Sequence, residues 1–252
     1  MKTSFMAALV ACCLAFGCSA EQRGPTATVS ASEPANELTG LLNDFDFSGS
    51  ILVGKKGNII LRQAVNASRI EEVEPVTPET PYPIASMTKS FTASLVLKLV
   101  DDGKLSLDQT LKELLPDFNV PYARDVTLRH LLQNRSGIPH YIDIPGWFDT
   151  EVKRSFTEES FLDTLEALEL KFQPGSDYLY SNVNYYLLAR IIDRHAGAGY
   201  EDYLRSQILD PLGLAHTGQI YQDSSDLAAN YLRTDDGGYE IIPITNPALF
   251  RG

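Results

Sequence analysis

Ser86-Met87-Thr88-Lys89-Ser90-Phe91-Thr92-Ala93-Ser94-Leu95-Val96-Leu97-Lys98-Leu99-Val100-Asp101-Asp102 reads as a strong helix. Phe91, Leu95, Leu99 and their neighbours give it a wide apolar face, and Gly103 follows where a helix would close. Positions i and i+3 share a helix face, so the Ser86 hydroxyl and the Lys89 amine can point into one pocket at its start. A serine becomes a nucleophile when a neighbour takes its proton, and a lysine can serve. Free N–H groups at the helix N-terminus favour negative charge developing beside Ser86. Taken alone the signal is weak, because Ser-x-x-Lys also occurs on ordinary exposed helix surfaces.

On the N-terminal side of this stretch, Glu37 to Phe45 has apolar residues at helical spacing. Ser48 to Val53 and Ile59 to Ala64 are β-rich runs around Lys55-Lys56-Gly57-Asn58, the pattern of a hairpin. Four prolines between residues 75 and 83 exclude regular structure and predict a long surface loop over 66–83. On the C-terminal side, further helices are expected over Thr127 to Asn134, Thr157 to Leu168 with Thr157 as N-cap, Asn182 to Ala196, and Tyr200 to Leu209. There is no internal repeat.

The chain of 252 residues carries a net charge of −12 and an apolar share of 44%, enough to build a core but with no basic surface for nucleic acid. The four histidines show no metal-binding spacing, no Gly-x-Ser-x-Gly is present, and no glycine-rich phosphate loop occurs, so neither a metal nor another cofactor is expected.

All three cysteines, Cys12, Cys13 and Cys18, lie in the first 18 residues. Lys2 followed by the apolar run Phe5 to Gly17 reads as an export signal over 1–17, too short to span a bilayer. Leu14 to Ser19 resembles a bacterial lipobox, with Cys18 as the lipidated residue. Leu9-Val10-Ala11-Cys12 is an alternative box, and a plain secretory cut after Ala20 is another. Residues 18–36 are small and polar and read as a flexible tether, placing one domain over 37–252 outside the membrane.

A second element is Tyr180-Ser181-Asn182, directly before a predicted helix. A phenol can shuttle a proton between nucleophile and leaving group, and a carboxamide can hold a lysine and a substrate amide at once. Ser181 or Asn182 would equally serve as an N-cap with Tyr180 packed beside it.

Four blocks occur in order: Ile84 to Ala93 around Ser86 and Lys89, Leu131 to His140, Phe172 to Gly175 with Tyr178 to Asn182, and Ile208 to Leu214. Together they resemble the serine β-lactamase-related family, in the branch with class C β-lactamases, D-alanyl-D-alanine carboxypeptidases, D-aminopeptidases and related esterases. The resemblance covers residues 37 to 252. It implies an α+β fold, an α-helical region beside a helix-covered antiparallel sheet, with the site between them. It also implies Ser86 as the acylated nucleophile, Lys89 as its activating partner, Tyr180 as general acid/base and Asn182 as a substrate-positioning residue. The substrate would be a D-amino-acid peptide, a β-lactam or a small ester, with peptidoglycan-derived peptide among the choices.

Two departures from the family pattern matter. Gln133-Asn134-Arg135 replaces the commoner Thr-His-Thr, which would alter the pocket edge. The third motif, Lys- or His-x-Gly on a late strand, is missing. His216-Thr217-Gly218 spells it but follows Pro211-Leu212-Gly213-Leu214, where the helical region is expected to end. The expectation is therefore a chain lacking its C-terminal strands, with little or no activity, since losing an oxyanion-hole donor alone costs ~10²–10³ in rate. The competing reading is a non-catalytic envelope protein that binds peptidoglycan or a protein partner through the same fold.

Overall fold

A computed structural model describes residues 38–42, 47–65, 75–141, 158–218, 227–229, 231–235 and 238–241. The expected signal over 1–17, the tether over 18–36 and Cys18 lie outside them. The chain divides into two compact units, Met1–Ala67 and Ser68–Gly252.

In the first unit, residues 38–42 are helical and the hairpin forms where alternation and turn chemistry predict it. Strands β1 (Gly49–Lys55) and β2 (Asn58–Val65) pair antiparallel from Gly49↔Val65 to Lys55↔Asn58, with an irregularity at Val53/Gly54. Both residues of the turn have positive φ, 52° at Lys56 and 80° at Gly57, the handedness that matches strand twist in two-residue hairpins.

The second unit is built on helices. α1 (Thr88–Asp101) buries Lys89, Thr92, Leu95, Val96 and Leu99 on one stripe, so the same periodicity that buries leucines takes the lysine inward. α2 (Leu111–Leu114) is short but strongly capped: Thr110 and Glu113 make a reciprocal capping box, whose Thr-x-x-Glu signature stands in the sequence. α3 (Leu128–Leu132), α4 (Glu158–Glu166), α5 (Asn182–His195) and α6 (Tyr200–Leu204) follow. Thr157, the expected cap of α4, lies outside the described residues.

The helix expected over Tyr200 to Leu209 is α only as far as Leu204 and continues as a π-helical turn, Arg205–Leu209. α5 packs against α1, α3 and α6. Leu95, Leu99, Leu128, Leu131, Leu187, Leu188 and Ile191 are fully buried among them. Each such side chain contributes about 2 kcal/mol of burial. Two short strands, β3 (Tyr231–Arg233) and β4 (Tyr239–Ile241), pair antiparallel, giving an α+β content. His216–Gly218 lies in a turn and bend, not on a strand.

α3 carries an unusual capping box. Thr127 Oγ1 accepts from His130 N and His130 Nδ1 accepts from Thr127 N, both at 3.3 Å. Accepting requires an unprotonated Nδ1. Burial holds the His130 pKa below its ordinary value, and Arg135 and Arg129 add to this against the opposing Asp125 carbonyl and Asp108. The folded state therefore resists a proton that the unfolded chain accepts near pH 6.5. Stability is full above that pH, falls as pH drops toward the depressed folded value, and levels off below it. Urea midpoints between pH 7.5 and 5 should show the fall, and His130→Gln, which keeps a cap acceptor that does not titrate, should remove that part of it.

Candidate active site

Ser86 does not lie inside α1. It occupies a 3₁₀ turn, Ala85–Met87, that leads into the helix, and at three residues per turn positions i and i+3 eclipse. Ser86 Oγ thus sits over Lys89, whose Nζ donates to it at 3.3 Å. Ala85, directly before the serine, holds a φ of +45°. A non-glycine residue there costs about 1–2 kcal/mol, strain of the kind that accumulates where surroundings over-determine a site.

Tyr180, 94 residues further on, brings its hydroxyl to 2.8 Å from Ser86 Oγ. Ser86 is exposed, Tyr180 is 39% exposed and Lys89 only 8%, so the hydroxyls face solvent over a buried ammonium. Burial pushes the Tyr180 phenol up, but the Ser86 hydroxyl and the Lys89 ammonium beside it pull it down further, leaving it below its ordinary value. The ion pairs among the described residues use Lys98, Arg129, Arg194 and Arg205, not Lys89. Lys89 Nζ lies 5.3 Å from the Tyr180 ring centroid and 5.5 Å from that of Tyr185.

Asn182 opens α5 two residues after Tyr180, while the N-cap itself is Ser181, whose Oγ accepts from Val183 N. The Asn182 amide donates to Tyr141 OH at 3.2 Å, and its Oδ1 is buried without a partner. Ser86, Lys89 and Tyr180 are thus joined by hydrogen bonds. Asn182 is tied to Tyr141 rather than to Lys89.

A frame that the sequence does not advertise holds Tyr180 in place. Asn134, at φ +54°, accepts at Oδ1 from Ser181 N and from Asn184 Nδ2, while Ser136 Oγ donates to Asn184 Oδ1 at 2.6 Å. Leu179 N donates to Asn134 O, Gly175 N to Arg135 O and Lys171 N to Gly137 O. Arg135 returns bonds to the Gly175 and Asp177 carbonyls. So Asn134 and Arg135, expected at the pocket edge, stitch the segment after α3 to the segment carrying Tyr180, and Gln133 is exposed.

Asn184 and Ser136 are fully buried. Asn184→Ala would strand the Ser136 hydroxyl and remove one donor from Asn134. The expected loss is about 2–4 kcal/mol of unfolding free energy, measured by urea titration.

The family model described as Beta-lactamase matches residues 46–239. The chain is 32% identical over 175 residues to penicillin-binding protein 4* of Bacillus subtilis, covering 68% of this chain and 38% of that protein. It therefore spans less than two fifths of that relative's length. Among solved structures, a penicillin binding protein from Bacillus halodurans superposes with a TM-score of 0.71 at 27% identity, covering 84% of this chain and 66% of that one. D-amino acid amidase from Ochrobactrum anthropi, complexed with D-phenylalanine, superposes with a TM-score of 0.65 at 27% identity, covering 81% and 58%. The fold is β-lactamase/transpeptidase-like.

Proposed function

Because the chain belongs to the beta-lactamase family of serine hydrolases, we propose that it forms an acyl-enzyme through Ser86 on an amide or ester substrate. The observation that carries this reading is the Tyr180 hydroxyl 2.8 Å from Ser86 Oγ, with Lys89 Nζ at 3.3 Å on the same oxygen. Ser86 Oγ bonds to the substrate carbonyl carbon as its proton passes to the ionised Tyr180 oxygen. Tyr180 then gives that proton to the departing amine or alcohol as the old bond breaks. Water attacks the acyl-serine by the same route, its proton going to Tyr180 and on to Ser86 Oγ. Lys89, whose Nζ donates to Ser86 Oγ, is the activating partner of the serine, and the Asn182 carboxamide orients the substrate beside it.

D-amino-acid amides and peptides lead among the substrates because a D-amino acid amidase shares the fold and the penicillin-binding proteins are similar in sequence. β-Lactams and small esters are the other two classes. Among the described residues no helix is long and apolar enough to cross a membrane. Export, with a lipid anchor at Cys18, is proposed from the sequence motif. Palmitate-analogue labelling of the chain that disappears in Cys18→Ala supports the anchor, and labelling that persists removes it.

The activity reading is tested with a fluorophosphonate. The expected result is a slowly formed phosphonyl adduct on the Ser86 peptide by mass spectrometry, absent from Ser86→Ala, whereas prompt formation of one adduct per chain overturns the expectation of little or no activity. A folded chain that stays unmodified overturns it. Initial rates on D-alanine amide, a chromogenic cephalosporin and a nitrophenyl acetate then separate the three substrate classes.

A further inference from the structure

We propose that Tyr185 is a positioning residue that, with Tyr180, forms a two-tyrosine cradle holding the Lys89 ammonium against Ser86. Lys89 is 8% exposed, and the ion pairs of the described residues do not include it. A buried cation needs compensation. Its direct hydrogen-bond partner is the Ser86 hydroxyl, and the two tyrosine rings have centroids 5.3 and 5.5 Å from Nζ, inside the range where a ring face attracts a cation.

The second ring is held at both ends. Tyr185 stands on α5, three residues after Asn182, and its hydroxyl donates to the Leu132 carbonyl, the last residue of α3, at 3.1 Å. Its ring therefore bridges two helices and cannot swing from under Lys89. Burial pushes the Tyr185 phenol up, so it stays neutral.

An aromatic wall suits this place for a chemical reason. A carboxylate would take hydrogen bonds from the ammonium and draw its N–H groups away from Ser86. A ring face attracts the same charge and accepts no in-plane hydrogen bond, so the donors stay free for the Ser86 oxygen. Nothing about the Tyr180-Ser181-Asn182 motif requires an aromatic residue three positions on. The placement emerges only where α1, α3 and α5 meet.

The proposal rests on the reading of Ser86 as nucleophile only for its effect on rate, so it is tested at two levels. Phenylalanine and its 4-fluoro, 3,5-difluoro and 3,4,5-trifluoro forms at position 185 keep the ring's shape while draining charge from its face. The rate of Ser86 phosphonylation should fall stepwise along the series, by about tenfold at the trifluoro end. Melting temperatures should not follow the fluorine count. Rates that stay flat across the series overturn the proposal.

Independently of labelling, the Lys89 Hε protons, assigned by their loss in Lys89→Arg, should be shifted upfield by both rings. That shift should persist in Tyr185→Phe and shrink in Tyr185→Leu. A Lys89 signal unchanged in Tyr185→Leu removes the cradle. If the unmodified chain takes no phosphonate, the nucleophile reading fails, and the Lys89 signal alone decides whether the cradle exists. Should Tyr185→Leu not fold, the comparison of Lys89→Arg with Tyr185→Phe gives the shift, and an Hε signal at the ordinary lysine position overturns the cradle.

Discussion

Tyr180→Phe is expected to slow acylation of Ser86 by about 10²–10⁴-fold, the usual contribution of a positioned proton-transfer group. The substitution removes one oxygen from a side chain that is 39% exposed. The hydrogen bond it loses is the one to Ser86 Oγ, and the ring face beside Lys89 remains. Unfolding free energy should therefore change by less than about 1 kcal/mol, which separates a catalytic effect from a structural one.

The pH dependence carries a further check. The Tyr180 phenol lies below its ordinary value because Ser86 and Lys89 outweigh the effect of burial. A phenolate acceptor makes the rate rise with pH, and the midpoint of the rise should fall below the ordinary phenol value near 10. In Tyr180→Phe that limb should vanish. Phosphonylation rates between pH 6 and 11 measure both, and a variant that keeps wild-type rate and profile would remove Tyr180 from the mechanism.

Gly137→Ala is expected to be the most damaging glycine-to-alanine change among the described residues of the second unit. Gly137 holds φ at +81°, and a Cβ there would sit 2.3 Å from the Phe172 carbonyl oxygen. That oxygen belongs to a backbone segment already tied down, since neighbouring Lys171 N donates to Gly137 O at 2.8 Å. No flexible side chain can yield. Left-handed strain of about 1–2 kcal/mol and the displaced backbone together should exceed about 3 kcal/mol.

Gly103→Ala is the control. Its φ of +72° imposes similar strain, but a Cβ there meets nothing within 4 Å. It should cost about 1 kcal/mol, as for a helix-ending glycine. Equal losses for the two variants in urea unfolding would show that the contact with Phe172 carries no weight. The site should respond as well, because Gly137 lies in the strip that holds Tyr180. The Gly137→Ala variant, where it folds, should acylate more slowly than its stability alone explains.

Much of this protein is legible in its residues alone. Apolar spacing places α1 and α5 and the glycine-containing turn places the hairpin, because these are local choices made by residues within a few positions of one another. Ser86, Lys89, Tyr180 and Asn182 can likewise be picked out as residue types suited to acyl transfer. The local signals that escape such a reading are small ones. Thr110 and Glu113 spell a capping box, and the run after Leu204 continues as a π-turn rather than an α-helix.

The identity of the proposed reactive groups, and of the elements that carry them, is thus written in the chain itself. Their company is not. Tyr180 reaches Ser86 because Asn134, Ser136 and Asn184 lock the segment before α5 to the segment after α3, across 40 to 50 residues of chain. Lys89 lies between two tyrosines because α1 and α5 pack together, and Asn182 is tied to Tyr141 because residues 41 positions apart meet. Local pattern encodes which face of a helix is buried. Which side chains meet across that buried surface depends on packing between segments remote in sequence, and no periodicity records it.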